Sequence, residues 1–349
     1  MARDHGFHTA RITRVVQEAS DTRTYVLDLG TRPPYRAGQF ITVKVCGTLR
    51  SYSLSSSPDT DAELMATVKR VPGGLVSNWI HDHLRAGDLI ETTLPTGAFC
   101  LRESPAPLVA FCGGSGITPI LSLVKTALAT TTRTVRVLAA DRDADSAVFE
   151  PVLAELAAQF PSRLEIHRHI DARHGLVTEG RVRGFTGGDQ HADFYLCGPA
   201  AFMDLAERAL LAHGVGQDQI FVERFAPAAE TSPSPSRSPS SPSPSSPSSS
   251  SKAESDGQDR TVEIVLNGKR STIPQHPGET LLESARRGGL TPPFSCEAGN
   301  CATCIARVTK GEVRMRANNA LEDDEVADGW VLTCQGVPVT PRVIVVYED

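Results

Sequence analysis

Between Thr231 and Ser251 the chain runs for 21 residues that comprise 13 serines, 6 prolines, Arg237 and Thr231. Such a stretch cannot bury enough apolar surface to offset the entropy of ordering it, so the chain must divide here. It reads as an extended, mobile tether with a reach on the order of 60 Å, at about 3.1 Å per residue as polyproline II. A long block precedes it and a shorter one, from Gly257 to Asp349, follows. At about 150 residues per domain, the 349 residues correspond to two or three folded units.

The composition narrows the class. With 40% hydrophobic and 22% charged residues the chain as a whole is neither disordered nor fibrous. The net charge of −6 provides no basic footprint for nucleic acid or an anionic membrane. Residues Met1–Ser20 hold scattered charges and no apolar core of a signal peptide, and no apolar run approaches about 18 residues. A soluble, cytoplasmic, monomeric protein without membrane insertion is expected. In a reducing compartment its eight cysteines are ligands, catalytic groups or small core residues rather than disulfides.

Ahead of the tether the pattern changes near Ser104. Runs rich in β-branched residues (Arg11–Val16, Thr24–Leu29, Phe40–Val45, Leu64–Arg70 and Leu89–Leu94) are punctuated by Gly and Pro, which predicts an antiparallel barrel or sandwich. From Pro107 onward strands alternate with helices. Leu108–Cys112, Thr134–Ala139, Arg163–His169 and Phe194–Cys197 read as strands, and Pro119–Thr130, Phe149–Phe160 and Ala200–His213 as helices. That alternation predicts a parallel sheet covered by helices, with nucleotides bound at the carboxyl ends of its strands. The expected divisions are 5–104, 105–229, a linker at 230–258, and 259–349.

Cys296, Cys301 and Cys304 follow C-x4-C-x2-C spacing, and Cys334 follows after 29 intervening residues. Four thiolates in this arrangement match a plant-type [2Fe–2S] centre. Gly299 lets the loop wind, and the small Ala298, Ala302 and Thr303 let backbone N–H groups approach the sulfides. Zinc is the alternative, although zinc sites more often use paired C-x2-C elements. With Val331-Leu-Thr-Cys-Gln, residues 260–349 resemble the plant-type ferredoxin family. The resemblance implies a β-grasp fold, with Glu263–Leu266 as its opening strand and Thr280–Arg287 as its helix.

Three further motifs lie ahead of the tether. Arg50-Ser-Tyr-Ser-Leu offers a guanidinium fork for pyrophosphate, a Tyr on the same face of an extended strand, and Ser53 to bond a ring nitrogen. Val71-Pro-Gly-Gly-Leu-Val-Ser-Asn-Trp has the glycines and serine of an anion-binding helix start, or of an ordinary cap at Ser77. Cys112-Gly-Gly-Ser-Gly-Ile-Thr-Pro stands between strand and helix with G-x-G-x-x-P spacing, a departure from the usual dinucleotide fingerprint.

With Leu196-Cys-Gly-Pro, these motifs in this order resemble the ferredoxin–NADP reductase superfamily across residues 7–228. The whole chain is similar to reductase components of bacterial oxygenases, such as those serving phenylacetyl-CoA epoxidation or ketosteroid 9α-hydroxylation. The resemblance implies an antiparallel β-barrel FAD domain, an α/β parallel-sheet nicotinamide domain and a β-grasp ferredoxin domain. FAD rather than FMN is implied by Ser77-Asn-Trp-Ile-His-Asp-His.

It places Arg50, Tyr52, Ser53, Leu54, Val68, Lys69, Gly74, Val76, Ser77 and Phe225 around FAD. Gly114, Ser115, Gly116, Thr118, Pro119, Asp141, Arg142, Cys197, Gly198 and Pro199 would meet NADH or NADPH. Ser53, Cys197 and Glu223 flank the path of the hydride, and Cys296, Cys301, Cys304 and Cys334 hold the cluster.

Asp141 follows the second strand of the parallel sheet, where a carboxylate takes the ribose 2′-OH of NADH, whereas Arg142 favours a 2′-phosphate. His81-Asp-His83 and His167-Arg-His169 would share a face on a strand, but neither has a third ligand nearby and both are read as ordinary histidines. Cys46, Cys100 and Cys112 are read as small buried apolar residues.

A nicotinamide delivers two electrons together and an iron–sulfur cluster takes one, so a flavin must stand between them. The expected activity is therefore NAD(P)H-dependent transfer through FAD and [2Fe–2S] to a terminal oxygenase of Rieske or di-iron type, with the tether setting the effective concentration of docking. One alternative is a stand-alone reductase that uses the ferredoxin domain internally. The other is a C-terminal module that binds zinc or a cluster and passes no electron onward.

Overall fold

A computed structural model describes residues 7–225 and 260–347, apart from 267, 291, 295–298, 300, 301 and 319. The linker, Cys296 and Cys301 lie outside the described residues. Six antiparallel strands form the first sheet: β1 (His8–Ala19), β2 (Thr22–Asp28), β3 (Phe40–Val45), β4 (Thr48–Ser53), β5 (Leu64–Lys69) and β6 (Leu89–Thr92), in the order β4-β3-β6-β1-β2-β5. A bridge from Leu54, just past β4, to Ala66 in β5 joins the two outer strands into a barrel. Inward-facing Ile12, Tyr25, Ile41, Val43, Leu54 and Val68 fill it. Helix α1 (Leu75–His83) plugs one end with Val76 and Ile80.

The β3–β4 hairpin turns on Cys46 (φ 48°) and Gly47 (φ 70°), the two positive φ values of a type I′ turn. Cys46 is consequently exposed at the tip, contrary to the buried position expected from its apolar character. Cys100 and Cys112 are buried as expected.

The second sheet comprises β7 (Leu108–Gly113), β8 (Val135–Asp141), β9 (Leu164–Ile170), β10 (Asp193–Cys197) and β11 (Ile220–Glu223), all parallel in the order β11-β10-β7-β8-β9. Every residue of β7 and β10 is buried, as central strands covered on both faces require. Helices α2 (Ile117–Thr130), α3 (Glu150–Gln159), α4 (Asp171–His174), α5 (Glu179–Thr186) and α6 (Ala200–Ala212) cover it.

Helix α2 is buried nearly all round because it also meets the barrel side. There the Ser122 hydroxyl donates to the Ser56 carbonyl at 2.6 Å, Ser57 and Thr126 hydroxyls lie 2.7 Å apart, and Lys125 pairs with Asp61 at 3.1 Å. At the opposite ends of the strands, Arg133 and Asp193 form an ion pair at 2.6 Å with side chains 1% and 3% exposed. The same guanidinium also donates to the Arg102, Ala106 and Pro107 carbonyls, pinning the connection between the two sheets.

Behind the linker β12 (Thr261–Leu266), β13 (Lys269–Pro274), β14 (Ile305–Lys310), β15 (Val313–Met315), β16 (Trp330–Leu332), β17 (Gly336–Pro338) and β18 (Arg342–Val346) form a mixed sheet in the order β13-β12-β18-β14-β16, with β15 and β17 paired separately. Helix α7 (Leu281–Arg287) packs Leu281 and Ala285 into its core, and the short α8 (Asp323–Ala327) follows. Thr280, expected inside the helix, is its N-cap, exchanging bonds with Glu283 in a capping box. Among the described residues no helix is long and apolar enough to cross a membrane.

Candidate functional site

The carboxyl ends of β7 and β10 lie side by side, with Cys112 in register with Cys197. The turn after β7 fits against the turn after β10 only because both are glycine-rich. A Cβ on Gly113 would lie 2.8 Å from Pro199 Cδ, one on Gly116 would lie 2.1 Å from the Cys197 carbonyl oxygen, and one on Gly198 would lie 2.8 Å from the Gly113 nitrogen. Gly114 takes φ +53° in the same turn. This interlock sets the start of α2, including Thr118 and Pro119, beside Cys197-Gly198-Pro199.

Two buried hydroxyls point to something bound. Ser53, 3% exposed at the end of β4, and Thr118, 1% exposed in the first turn of α2, have side-chain oxygens without a hydrogen-bond partner. Buried polar atoms are almost always satisfied, and leaving one unpaired costs about 1–3 kcal/mol. These orphaned oxygens fit a flavin and a nicotinamide, whose ring edges supply both donors and acceptors. Alternation along β4 puts Arg50 and Tyr52 on the face opposite Ser53, and burial raises the Tyr52 hydroxyl above its ordinary range.

The Gly74 end of α1 carries no side-chain cap, which leaves the N–H groups of its first turn open to an anion. Ser77 lies inside the helix rather than at its cap. Its oxygen accepts from the Val71 N–H at 3.1 Å, and Asn78 donates its amide to the Val71 carbonyl at 2.9 Å, so the two close the loop on itself. The motif alone gives Asn78 no such role.

The Cys197 thiol is fully buried, and burial, followed by the charge of Glu223, pushes its pKa well above the ordinary thiol range. Glu223 stands opposite it in the β10–β11 register and is 6% exposed. Burial thus favours the neutral thiol over the thiolate. Phe225, just past β11, is 38% exposed.

Lys69 occupies a different place from the other barrel residues expected around FAD. Its ammonium is 3.4 Å from Asp21 and would lie 3.7 Å from a Cβ on Gly114, so it overhangs the glycine turn of the parallel sheet. Asp141 also has a competing partner. Its side chain is 2% exposed and bonded at 2.7 Å to Arg168, which also reaches Glu150 at 2.7 Å. Burial raises the Asp141 pKa and the Arg168 charge opposes that rise. Arg142 is exposed and pairs with Asp143 at 2.8 Å.

In the C-terminal sheet Cys304 precedes β14 and Cys334 follows β16, and the antiparallel pairing of Ile305 with Leu332 brings both thiols to one end of that strand pair. Both are buried beside Leu282, Ala302, Leu321 and Leu332. Gly299 (φ +77°) would clash with the Ala317 carbonyl at 2.8 Å if it carried a Cβ, which explains the glycine in this loop. The donor set and its dry surroundings fit an iron–sulfur cluster.

His81 and His83 lie on α1, not on a strand, so they do not share a face. His167 bonds Glu165 at 2.6 Å and His169 bonds the Gly175 carbonyl at 2.8 Å.

Residues 9–100 match the oxidoreductase FAD-binding domain family, 111–208 the oxidoreductase NAD-binding domain family, and 264–339 the 2Fe-2S iron-sulfur cluster binding domain family. The chain is 34% identical to the ferredoxin reductase component of 3-ketosteroid-9-alpha-monooxygenase from Mycolicibacterium smegmatis, covering 97% of this chain and 96% of that relative. It is 32% identical to one component of 1,2-phenylacetyl-CoA epoxidase from Escherichia coli, covering 98% of each. The fold of phthalate dioxygenase reductase superposes with a TM-score of 0.61 at 24% identity, covering 98% of each chain.

Proposed function

The chain belongs to the family of ferredoxin reductase components of oxygenases, and on that footing we propose that its electrons leave for a separate hydroxylase or epoxidase of Rieske or di-iron type. It is an NAD(P)H-dependent oxidoreductase that works with FAD and a [2Fe–2S] cluster. When bound, the flavin accepts a hydride and hands electrons on singly to the cluster.

The observation that carries the reading is the pair of orphaned hydroxyls, Ser53 at the end of β4 and Thr118 at the start of α2. In the proposed arrangement Ser53 holds the reactive edge of the flavin, Arg50 and the open start of α1 at Gly74–Ser77 hold its phosphates, Tyr52 and Phe225 pack around it, and Leu54, Val68 and Val76 form the barrel wall behind them. Thr118 and the Gly114–Gly116 turn receive the nicotinamide nucleotide, Cys197 and Glu223 wall the hydride path, and Lys69 takes the charge of the nucleotide pyrophosphate. Cys304 and Cys334, with Cys296 and Cys301, hold the cluster. The protein works in the cytoplasm as a monomer, divided at 5–104, 105–229, 230–258 and 259–349.

A one-electron protein acceptor tests the reading. Replacing Cys334 by Ser should lower NADH-driven cytochrome c reduction by more than about tenfold, because the last carrier is lost, and leave ferricyanide reduction within about twofold. Equal loss of both, or of neither, would contradict it.

A further inference from the structure

Thr333 is bonded through its hydroxyl, its N–H and its carbonyl alike. Its hydroxyl donates to the Cys304 carbonyl at 2.8 Å, and its own N–H donates to the same oxygen at 3.1 Å. The Leu282 N–H donates to the Thr333 carbonyl at 2.9 Å, tying it to the first turn of α7. Tyr347, past the end of β18, donates its phenolic O–H to the Thr333 hydroxyl at 2.8 Å. Tyr347 is 5% exposed and Thr333 fully buried, so the chain of bonds runs where each is strong and each lost partner is costly.

The loop that this chain reaches is strained. Ala302 sits at φ 51°, a conformation that costs a non-glycine residue on the order of 1–2 kcal/mol, and the Ile305 N–H closes back on its carbonyl at 2.9 Å. A strained loop persists only where its surroundings over-determine it. Both lone pairs of the Cys304 carbonyl are taken by Thr333, the residue next to Cys334. One residue thereby sets the orientation of one thiol-bearing backbone relative to the other, and Tyr347 fixes the hydroxyl of that residue.

We propose that Tyr347, acting through Thr333, is a positioning residue for the iron–sulfur centre: it fixes the Cys304 carbonyl, just past the strained Ala302, in the arrangement that two of the four thiolates need. The proposal rests on Cys304 and Cys334 being cluster ligands.

The test uses the full-length holoprotein. Iron content and the visible circular dichroism of the wild type come first; absence of a two-iron spectrum there would overturn the ligand reading itself. Tyr347→Phe keeps the ring and removes only the donor. Loss of one buried hydrogen bond, worth about 1 kcal/mol, should speed iron release to a chelator about fivefold. It should also change the cluster's circular dichroism and the anisotropy of its EPR signal when reduced. Thr333→Val, nearly isosteric, should release iron at least as fast, and Thr333→Ser, which keeps the hydroxyl, should return to within about twofold of the wild type. The Ser and Val pair decides the matter even where Tyr347→Phe folds poorly. Wild-type release rates and spectra in Tyr347→Phe, whatever Thr333→Val shows, or wild-type behaviour of Thr333→Val, or a Thr333→Ser variant as impaired as Thr333→Val, would overturn the proposal.

Discussion

Gly116 and Cys197 are in backbone contact: a Cβ on the glycine would sit 2.1 Å from the cysteine's carbonyl oxygen. No side chain fits without parting the two glycine-rich turns proposed to receive the nicotinamide. Gly116→Ala should therefore lower kcat/KM for NADH about 10- to 100-fold, the scale of an ångström-sized misplacement near a reacting centre. Flavin content should stay normal, because the barrel residues are untouched. Steady-state ferricyanide reduction and the flavin-to-protein absorbance ratio check both halves.

The place of Lys69 leads us to propose that it meets the nucleotide rather than FAD. Its ammonium overhangs Gly114 while Asp21 holds it in place. Loss of one charge-assisted hydrogen bond, about 1.5–3 kcal/mol, predicts that Lys69→Ala lowers kcat/KM for NADH by about tenfold or more. The flavin should remain bound. Release of FAD on dialysis, with KM unchanged, would return Lys69 to the flavin.

The carboxylate of Asp141 is already bonded to Arg168. Asp141→Asn is thus expected to change the ratio of NADH to NADPH efficiency by less than about threefold, below the discrimination a freed or lost ribose bond would produce. Its thermal midpoint should fall, because Arg168 loses a buried partner. Steady-state assays with both nucleotides would reveal a tenfold swing if Asp141 read the ribose.

His81 makes the barrel sensitive to mild acid. Its ring, on α1, is buried against β2 and β5, donating to the Val68 carbonyl at 2.9 Å and lying edge-on to Tyr25. Burial lowers its pKa below the ordinary 6.5; Arg23 and Arg70 act in the same direction, and the Val68 bond and Asp82 oppose it. The neutral ring therefore contributes its full stability above pH 6.5, and that contribution is lost as the pH falls from 6.5 toward the folded value. The urea midpoint for flavin release should drop between pH 7.5 and 5.5, and His81→Gln should flatten the profile. Identical slopes for the two proteins would refute this.

Local signals made much of the molecule legible. Glycines at 113, 114 and 116 and the Cys-x2-Cys spacing act over a few residues, so they stand out from spacing alone, whereas the capping role of Thr280 with Glu283 is not read from it. Interactions set by tertiary pairing are not legible in this way. Asp141 meets Arg168 only because β8 and β9 are neighbours, Lys69 meets Gly114 only because the barrel abuts the parallel sheet, and Tyr347 meets Thr333 across the C-terminal sheet. Cys46 departs from its expected burial because apolar character says nothing of a turn that needs positive φ. Helix α5 and the short edge strand β11 carry patterns too brief to separate from loop.

The central claim is an obligatory order of carriers, nicotinamide to flavin to cluster. Anaerobic rapid mixing with NADH, followed at flavin and cluster wavelengths, tests it most directly. Flavin absorbance should fall first, with cluster bleaching following at a rate independent of NADH concentration, and protein stripped of flavin should show no cluster bleaching. Cluster reduction by NADH in the flavin-free protein, or a fully reduced flavin beside a cluster that stays oxidised, would contradict the account.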